Sequence, residues 1–409
     1  MMEKREKNRK NMLQRPLLLL LMTFLSLSLW AGPIEEFASA RGLSANSSAV
    51  LITDLKTGEV LVSYQPDKSL IPASIMKSVT VAGLLSQSGP DKKYLTDVLI
   101  TGPVLNGVLG GDMIVKGSGD PSLNSRHIHG GKDFVKEIVS ALEKRGIKRI
   151  KGKIVVDESI WSGPATCPTW GSGDLPNAYG TGQHGLNFED NASGKKSVAN
   201  PAGVFLSQLN RALATAGIKV DNEAVSESQA KLLLSHESVP YDEIMRSCMM
   251  RSDNQFAEAM LRTLAVLSGK NGSTAEGAKT NTDLWTKNRA PMTGVHIEDG
   301  SGLSRRNKVT ASFMTHVLKT MWHDPYYVSF FPLAGQEGTL RAFLKDTPLD
   351  SYIAMKTGSM NGVQCYAGYK LNDDYEPTHS VVVILNEMPD RTAARQAVSK
   401  LLLKVFENK

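Results

Sequence analysis

The chain has 409 residues, 41% of them apolar and 22% charged, with a formal net charge of +6. That is a globular composition, long enough for two or three domains, and it excludes a disordered or low-complexity protein. Residues 1–31 carry Lys4, Arg5, Lys7, Arg9, Lys10 and Arg15 against Glu3 and Glu6, so +4 of the +6 lies there and no later basic run forms a nucleic-acid footprint.

The basic head runs into an apolar block from Leu17 to Trp30 and then Ala31-Gly32-Pro33, the layout of a secretory signal at 1–31 cleaved near Ala31. The block is shorter than the roughly 18 residues of a comfortable membrane span, so the expectation is an exported protein of the periplasm or cell envelope. Val50-Leu51-Ile52 and Val60-Leu61-Val62 flank a turn and read as a hairpin. Past Pro72, an apolar helix is predicted from Ser74 to Leu85, closed by Ser88-Gly89-Pro90. From about Tyr94 to Glu237 the character changes, with glycine-aspartate turns, a helix predicted at 132–144, a strand at 153–156 and a Gly/Asn/Pro-rich stretch at 162–202. A helical pair follows from Val239 to near Gly269, and strands return at 353–357, 366–371 and 381–385 before a helix to Phe406. Its apolar run 401–406 reads as packing on the sheet, with peripheral membrane contact as the alternative. Both chain ends therefore supply strands to one α/β (α+β) catalytic domain, expected at 35–95 and 238–409, and residues 96–237 are expected to be an inserted domain. Three cysteines, Cys167, Cys248 and Cys365, allow at most one bridge, and Cys248 reads as a small buried hydrophobe. There is no CxxC or HExxH, so neither a metal nor a cofactor is implied. No oligomeric state is legible.

Three short motifs occur in order: Ser74-Ile75-Met76-Lys77, Ser252-Asp253-Asn254 and Lys356-Thr357-Gly358. Each alone is weak, since Ser193–Lys196, Ser228–Lys231, Ser44–Asn46, Ser122–Asn124 and Lys56-Thr57-Gly58 match the same patterns. Context selects the first set. Spacing of i, i+3 on a helix puts Ser74 and Lys77 on one face, Ser252 falls at a helix junction, and Lys356 falls inside a strand. A serine hydroxyl needs a neighbour to take its proton, and a lysine can do so only when burial or a second cation lowers its pKa. On this reading Ser74 is the nucleophile, Lys77 its base and Lys356 the second cation. Ser252 relays a proton to the leaving amine, and Asn254 holds Lys77 and a substrate amide. Lys356 and Thr357 grip a terminal carboxylate, and the N–H groups of Ser74 and Ser359 form an oxyanion hole.

This set resembles the penicillin-binding proteins and serine β-lactamases. Gly117-Ser118-Gly119-Asp120-Pro121-Ser122-Leu123, Val155–Ser159, Asp299-Gly300-Ser301-Gly302-Leu303-Ser304-Arg305, Gly338-Thr339-Leu340 and Lys356–Met360 narrow the resemblance to the class C low-molecular-mass D-alanyl-D-alanine carboxypeptidase/endopeptidase family. The resemblance implies a β-lactamase/transpeptidase-like fold, an antiparallel sheet flanked by helices, with a large insertion. It implies peptidoglycan stem peptides as substrate and β-lactams as acylating inhibitors. It also implies substrate contacts by Thr357, Gly358 and Ser359, and a side-chain pocket at Asp157 and Arg305. Ser74 and Ser252 are 178 residues apart, about three times the class A β-lactamase spacing, and no E-x-x-L-N loop follows Ser252. A β-lactamase or esterase on the same scaffold, and a wall-binding sensor that acylates without turnover, are the rival readings.

Overall fold

The computed structural model describes residues 32–407 apart from Glu227. The expected export signal at 1–31 lies outside the described residues. In the N-terminal part, α1 (Gly32–Ala38) precedes β1 (Ser48–Asp54) and β2 (Val60–Tyr64), and α2 (Met76–Ser88) follows a 3-10 turn at Ala73–Ile75. The middle holds β3 (Leu95–Thr101), β4 (Val104–Leu105), β5 (Val108–Leu109), β6 (Met113–Lys116), α3 (Phe134–Lys144), β7 (Arg149–Ile150), β8 (Ile154–Asp157), β9 (Ala192–Ser193), β10 (Lys196–Ser197), α4 (Pro201–Thr215), β11 (Lys219–Val220) and β12 (Ala230–Glu237). The last part comprises α5 (Tyr241–Arg251), α6 (Asn254–Leu267), α7 (Thr274–Lys287), α8 (Ala311–Met321), α9 (Pro325–Ser329), β13 (Ile353–Met360), β14 (Val363–Leu371), β15 (Pro377–Leu385) and α10 (Arg391–Phe406).

Strands from both chain ends build one antiparallel sheet in the order β13-β14-β15-β1-β2. Both its faces are covered, which is why β1 and β15 read as unbroken apolar runs rather than alternating ones. Successive side chains point to opposite faces. Leu51, Val382 and Ile384 join a core with α2, α5, α6 and α8. Val50, Ile52, Val381, Val383 and Leu385 join a second core under α1 and α10. At roughly 1.5–3 kcal/mol per fully buried Val, Leu or Ile, the two faces of β15 alone make it the mainstay of the sheet. Leu401, Leu402 and Phe406 of α10 are buried in the second core, so that apolar face is spent on the sheet. No described helix is long and apolar enough to cross a membrane.

The middle segment pairs its strands among themselves, in sheets ordered β12-β3-β6-β8 and β11-β7-β5-β4. It has its own core, in which Phe134 of α3, Phe188 and Phe205 of α4 are buried. It leaves and rejoins the rest on neighbouring strands, Leu95 of β3 opposite Glu237 of β12. The helix predicted from residue 132 starts at Phe134 because Asp133 caps it, accepting the Lys136 N–H at 3.2 Å. All three cysteines are buried free thiols, so no bridge contributes.

Candidate active site

The nucleophile candidate does not open the α-helix itself, as the sequence suggested, but stands in the 3-10 turn before it. Ala73 adopts φ +47°, a left-handed backbone that a residue with a Cβ rarely takes. Two close approaches from other segments hold the turn. A Cβ on Gly302, itself at φ +80°, would come 1.9 Å from the Ala73 carbonyl oxygen. One on Gly358 would come 2.5 Å from the Pro72 oxygen and 3.0 Å from the Ser74 nitrogen. Gly302→Ala is therefore expected to lose about 3 kcal/mol of stability together with most acylation activity. Denaturant titration and a labelled-penicillin assay check this, and a variant with wild-type midpoint and wild-type acylation would show that the turn does not depend on that contact.

Lys77, one turn past Ser74 in the first turn of α2, is fully buried. Its Nζ lies 2.9 Å from Ser74 Oγ, 2.6 Å from Asn254 Oδ1 and 2.8 Å from the Ser301 carbonyl. Three acceptors match the three donors of an ammonium. Ser252 closes α5 in the left-handed region, φ +60°, and Asp253 then caps α6 by accepting the Phe256 N–H at 3.1 Å. This sharp reversal turns Ser252 and Asn254 back toward the sheet. Lys356 Nζ lies 2.9 Å from Ser252 Oγ and 2.8 Å from the Thr357 carbonyl. The five motif residues therefore form two hydrogen-bonded groups, Ser74–Lys77–Asn254 and Ser252–Lys356, at the edge of one sheet. Asn254 spends one amide hydrogen on the Tyr179 carbonyl, 2.8 Å away, so only the other can face a substrate.

Burial lowers the pKa of both lysines. For Lys356 the charge of Lys77 adds to that effect, whereas Asp299, Asp253 and Glu258 help Lys77 keep its proton. Of the two, Lys356 is therefore the one that gives up its proton more easily. Cys248, within electrostatic reach of both lysines and pushed up to about 12 by burial, stays a thiol.

β13 is the outer strand. At Ile353–Met355 its outer edge is bridged by residues 332–334, with Met355 N–H donating to the Pro332 carbonyl, and the period of two puts the N–H groups of Thr357 and Ser359 on that same edge beyond the bridge. Thr357 Oγ1 is 2.7 Å from Thr339 Oγ1, and Ser359 is exposed. Arg305 is exposed and donates to the Asn361 carbonyl at 3.1 Å, in the β13–β14 turn. Asp157, at the end of β8, accepts the Ser159 N–H at 2.9 Å and is outside the hydrogen-bonded cluster. Trp161 packs on Gly119 and Gly272, with the Arg262 guanidinium 5.5 Å above its ring. The competing Lys56-Thr57-Gly58 is a surface turn whose N–H groups bond Asp54.

Two buried carboxylates beneath Lys77 were not found from sequence. Glu258 Oε1 accepts the N–H groups of Gly300 and Ser301 at 3.1 and 2.8 Å, which aims the Ser301 carbonyl at Lys77. Burial, reinforced by Asp299, pushes the Glu258 carboxyl up to about 7. Asp299 accepts from Gly302 N, Ser304 N, Trp170 Nε1 and Asn307 Nδ2 at 2.6–2.8 Å. Only the glycine-rich block around Asp299 left a signal, as a landmark of the resemblance.

Fold and site together define a serine hydrolase of the β-lactamase and penicillin-binding class. The chain belongs to the D-Ala-D-Ala carboxypeptidase 3 (S13) family, whose sequence profile matches residues 31–196 and 191–405. It is 23% identical over 395 residues to the D-alanyl-D-alanine carboxypeptidase DacB of Haemophilus influenzae, covering 78% of this chain and 81% of that one. The crystal structure of that organism's penicillin binding protein 4 (dacB) superposes with a TM-score of 0.77 at 21% identity, covering 91% of this chain and 98% of the other. The D-alanyl-D-alanine carboxypeptidase of Actinomadura sp. strain R39 is 23% identical over 453 residues, 90% of this chain and 83% of the relative. The predatory endopeptidase Bd0816 of Bdellovibrio bacteriovorus shares the fold, with a TM-score of 0.54 at 16% identity over 87% of this chain and 90% of that one.

Proposed function

We propose that the protein is an exported serine D-alanyl-D-alanine carboxypeptidase of the cell envelope that also cleaves peptide cross-links, with Ser74 as nucleophile. The observation that carries this reading is the Lys77 ammonium held 2.9 Å from Ser74 Oγ while Lys356, the more easily deprotonated lysine, waits 2.9 Å from Ser252. A peptide docks along the outer edge of β13 beyond the bridge from residues 332–334, its terminal carboxylate between Lys356 and Thr357. That negative charge favours the charged form of Lys356, so a proton leaves Lys77 and settles on Lys356. Neutral Lys77 takes the Ser74 proton, and Oγ attacks the penultimate D-Ala carbonyl. The oxyanion rests on the N–H groups of Ser74 and Ser359. Collapse breaks the C–N bond, and the departing amine gains its proton from Lys356 through Ser252. Water then hydrolyses the ester and restores the Ser74 hydroxyl. Thus the terminal carboxylate acts as the trigger that frees the base. A β-lactam, which carries a carboxylate and an acyl centre, acylates Ser74 by the same route.

The test compares a pentapeptide ending in D-Ala-D-Ala with its C-terminal amide. D-Alanine release from the acid, and release of D-alanine amide slower by on the order of 10²-fold, is the expected result. Equal rates would refute the trigger. No release, with rapid turnover of a chromogenic cephalosporin, would mean a β-lactamase instead, and a stable penicillin adduct without any peptide turnover would mean a sensor.

A further inference from the structure

Beside the cluster lies a cavity of about 180 Å³, walled by Ser252 and Asn254 on one side and by Arg126, His127, Asp190 and Arg251 on the other. Arg126 Nε and Arg251 NH2 each lie 3.3 Å from the same imidazole nitrogen, Nε2 of His127. Burial holds this imidazole below its ordinary value, so a neutral ring offers one lone pair to two guanidinium groups. Asp190 serves the first of them, 3.1 Å from Arg126 Nε, and it also accepts from Ser125. Arg251 has no carboxylate partner among the described residues. Two cations are thus brought together with one anion between them, an arrangement that a second anion completes. A second, independent observation points the same way. Gln255, 4% exposed, lines the cavity, and neither polar atom of its side-chain amide has a partner among the described residues, a costly state that a ligand would relieve.

We propose that this cavity is a carboxylate-binding subsite, built from Arg126, Arg251 and Gln255, for the departing half of a cross-linked peptide. The inference rests on the hydrolytic reading above, in which Ser252 passes a proton to the departing amine; residues reaching outward from Ser252 then flank the departing group. A single departing D-alanine has its one carboxylate at Lys356 and Thr357. The departing half of a cross-link is an acidic peptide, with free carboxylates further along, and these are what the two guanidinium groups receive. The subsite therefore favours cross-link cleavage.

Two cross-linked dimers that differ only in whether a carboxylate of the departing half is free or amidated test it. The wild type is expected to prefer the free acid roughly tenfold in kcat/KM, the value of one charge-assisted pair. In Arg251→Gln, an exposed position, and in Arg126→Gln the preference falls to near parity, and Arg251→Lys restores part of it. Parity in the wild type, or full preference in both glutamine variants, would overturn the subsite. The same dimers used as competitors of benzylpenicillin acylation give the preference as a ratio of inhibition constants. Absence of turnover would thus count against the hydrolytic reading alone, while the ratio still decides the subsite.

Discussion

Ser74→Ala is expected to reduce D-alanine release to background, a loss on the order of 10⁵-fold. Lys77, Ser252, Asn254 and Lys356 touch the reaction through that hydroxyl or through the amine it displaces, so without it no part of the cluster can form an ester. The loss comes with little structural disturbance. Ser74 is half-buried, its side chain is met by Lys77, and the turn around it is held by Gly302 and Gly358 rather than by its hydroxyl. An alanine variant should therefore keep the wild-type denaturation midpoint within about 1 kcal/mol. Retention of a hundredth or more of the D-alanine release would show that another group carries the acyl chain.

Lys77→Gln is expected to lower the second-order rate of acylation by on the order of 10³-fold, the range for loss of a positioned base, with stability unchanged or raised. A lysine at full burial is costly to keep, and glutamine removes the charge while still reaching Asn254 or Ser301. The pH dependence follows from the directions of the shifts. The reactive pair carries one proton between the two lysines, so the wild-type acylation rate should climb as pH rises and the doubly charged pair loses its first proton, from Lys356, whose pKa burial and the Lys77 charge hold well below the ordinary lysine value. The glutamine variant should lose that limb of the profile. Acylation within tenfold of wild type, or an unaltered pH profile, would remove Lys77 from the role of base.

The residues proposed to carry the chemistry could be picked out because their motifs occur in one order and because decoys such as Lys56-Thr57-Gly58 fall on a turn ahead of the nucleophile. What positions them could not. Ala73 gives no hint of a left-handed backbone, since alanine is a good helix former; the conformation is imposed by Gly302, 229 residues away in sequence. Glu258 looks like one more polar residue on α6, and only its burial against the Gly300 and Ser301 N–H groups marks it. Of the middle segment, the strand at β8 was legible from its β-branched run, but β4, β5, β7, β9, β10 and β11 are two residues each, too short for any periodicity. Helices α7 to α9 were not anticipated either: the polar faces of α7 hide a seam whose main clue is the buried Trp285. The pairing of Arg126 with Arg251 at His127 joins the middle segment to the junction before Ser252, a contact that no local pattern announces.

The measurement that bears most directly on the central claim is peptide mapping of the wild-type protein after reaction with benzylpenicillin, beside D-alanine release from a pentapeptide. One penicilloyl group per chain on the peptide containing Ser74, with D-alanine released, is the predicted result. An adduct on any other residue, or D-alanine release that persists once Ser74 is fully occupied, would contradict it.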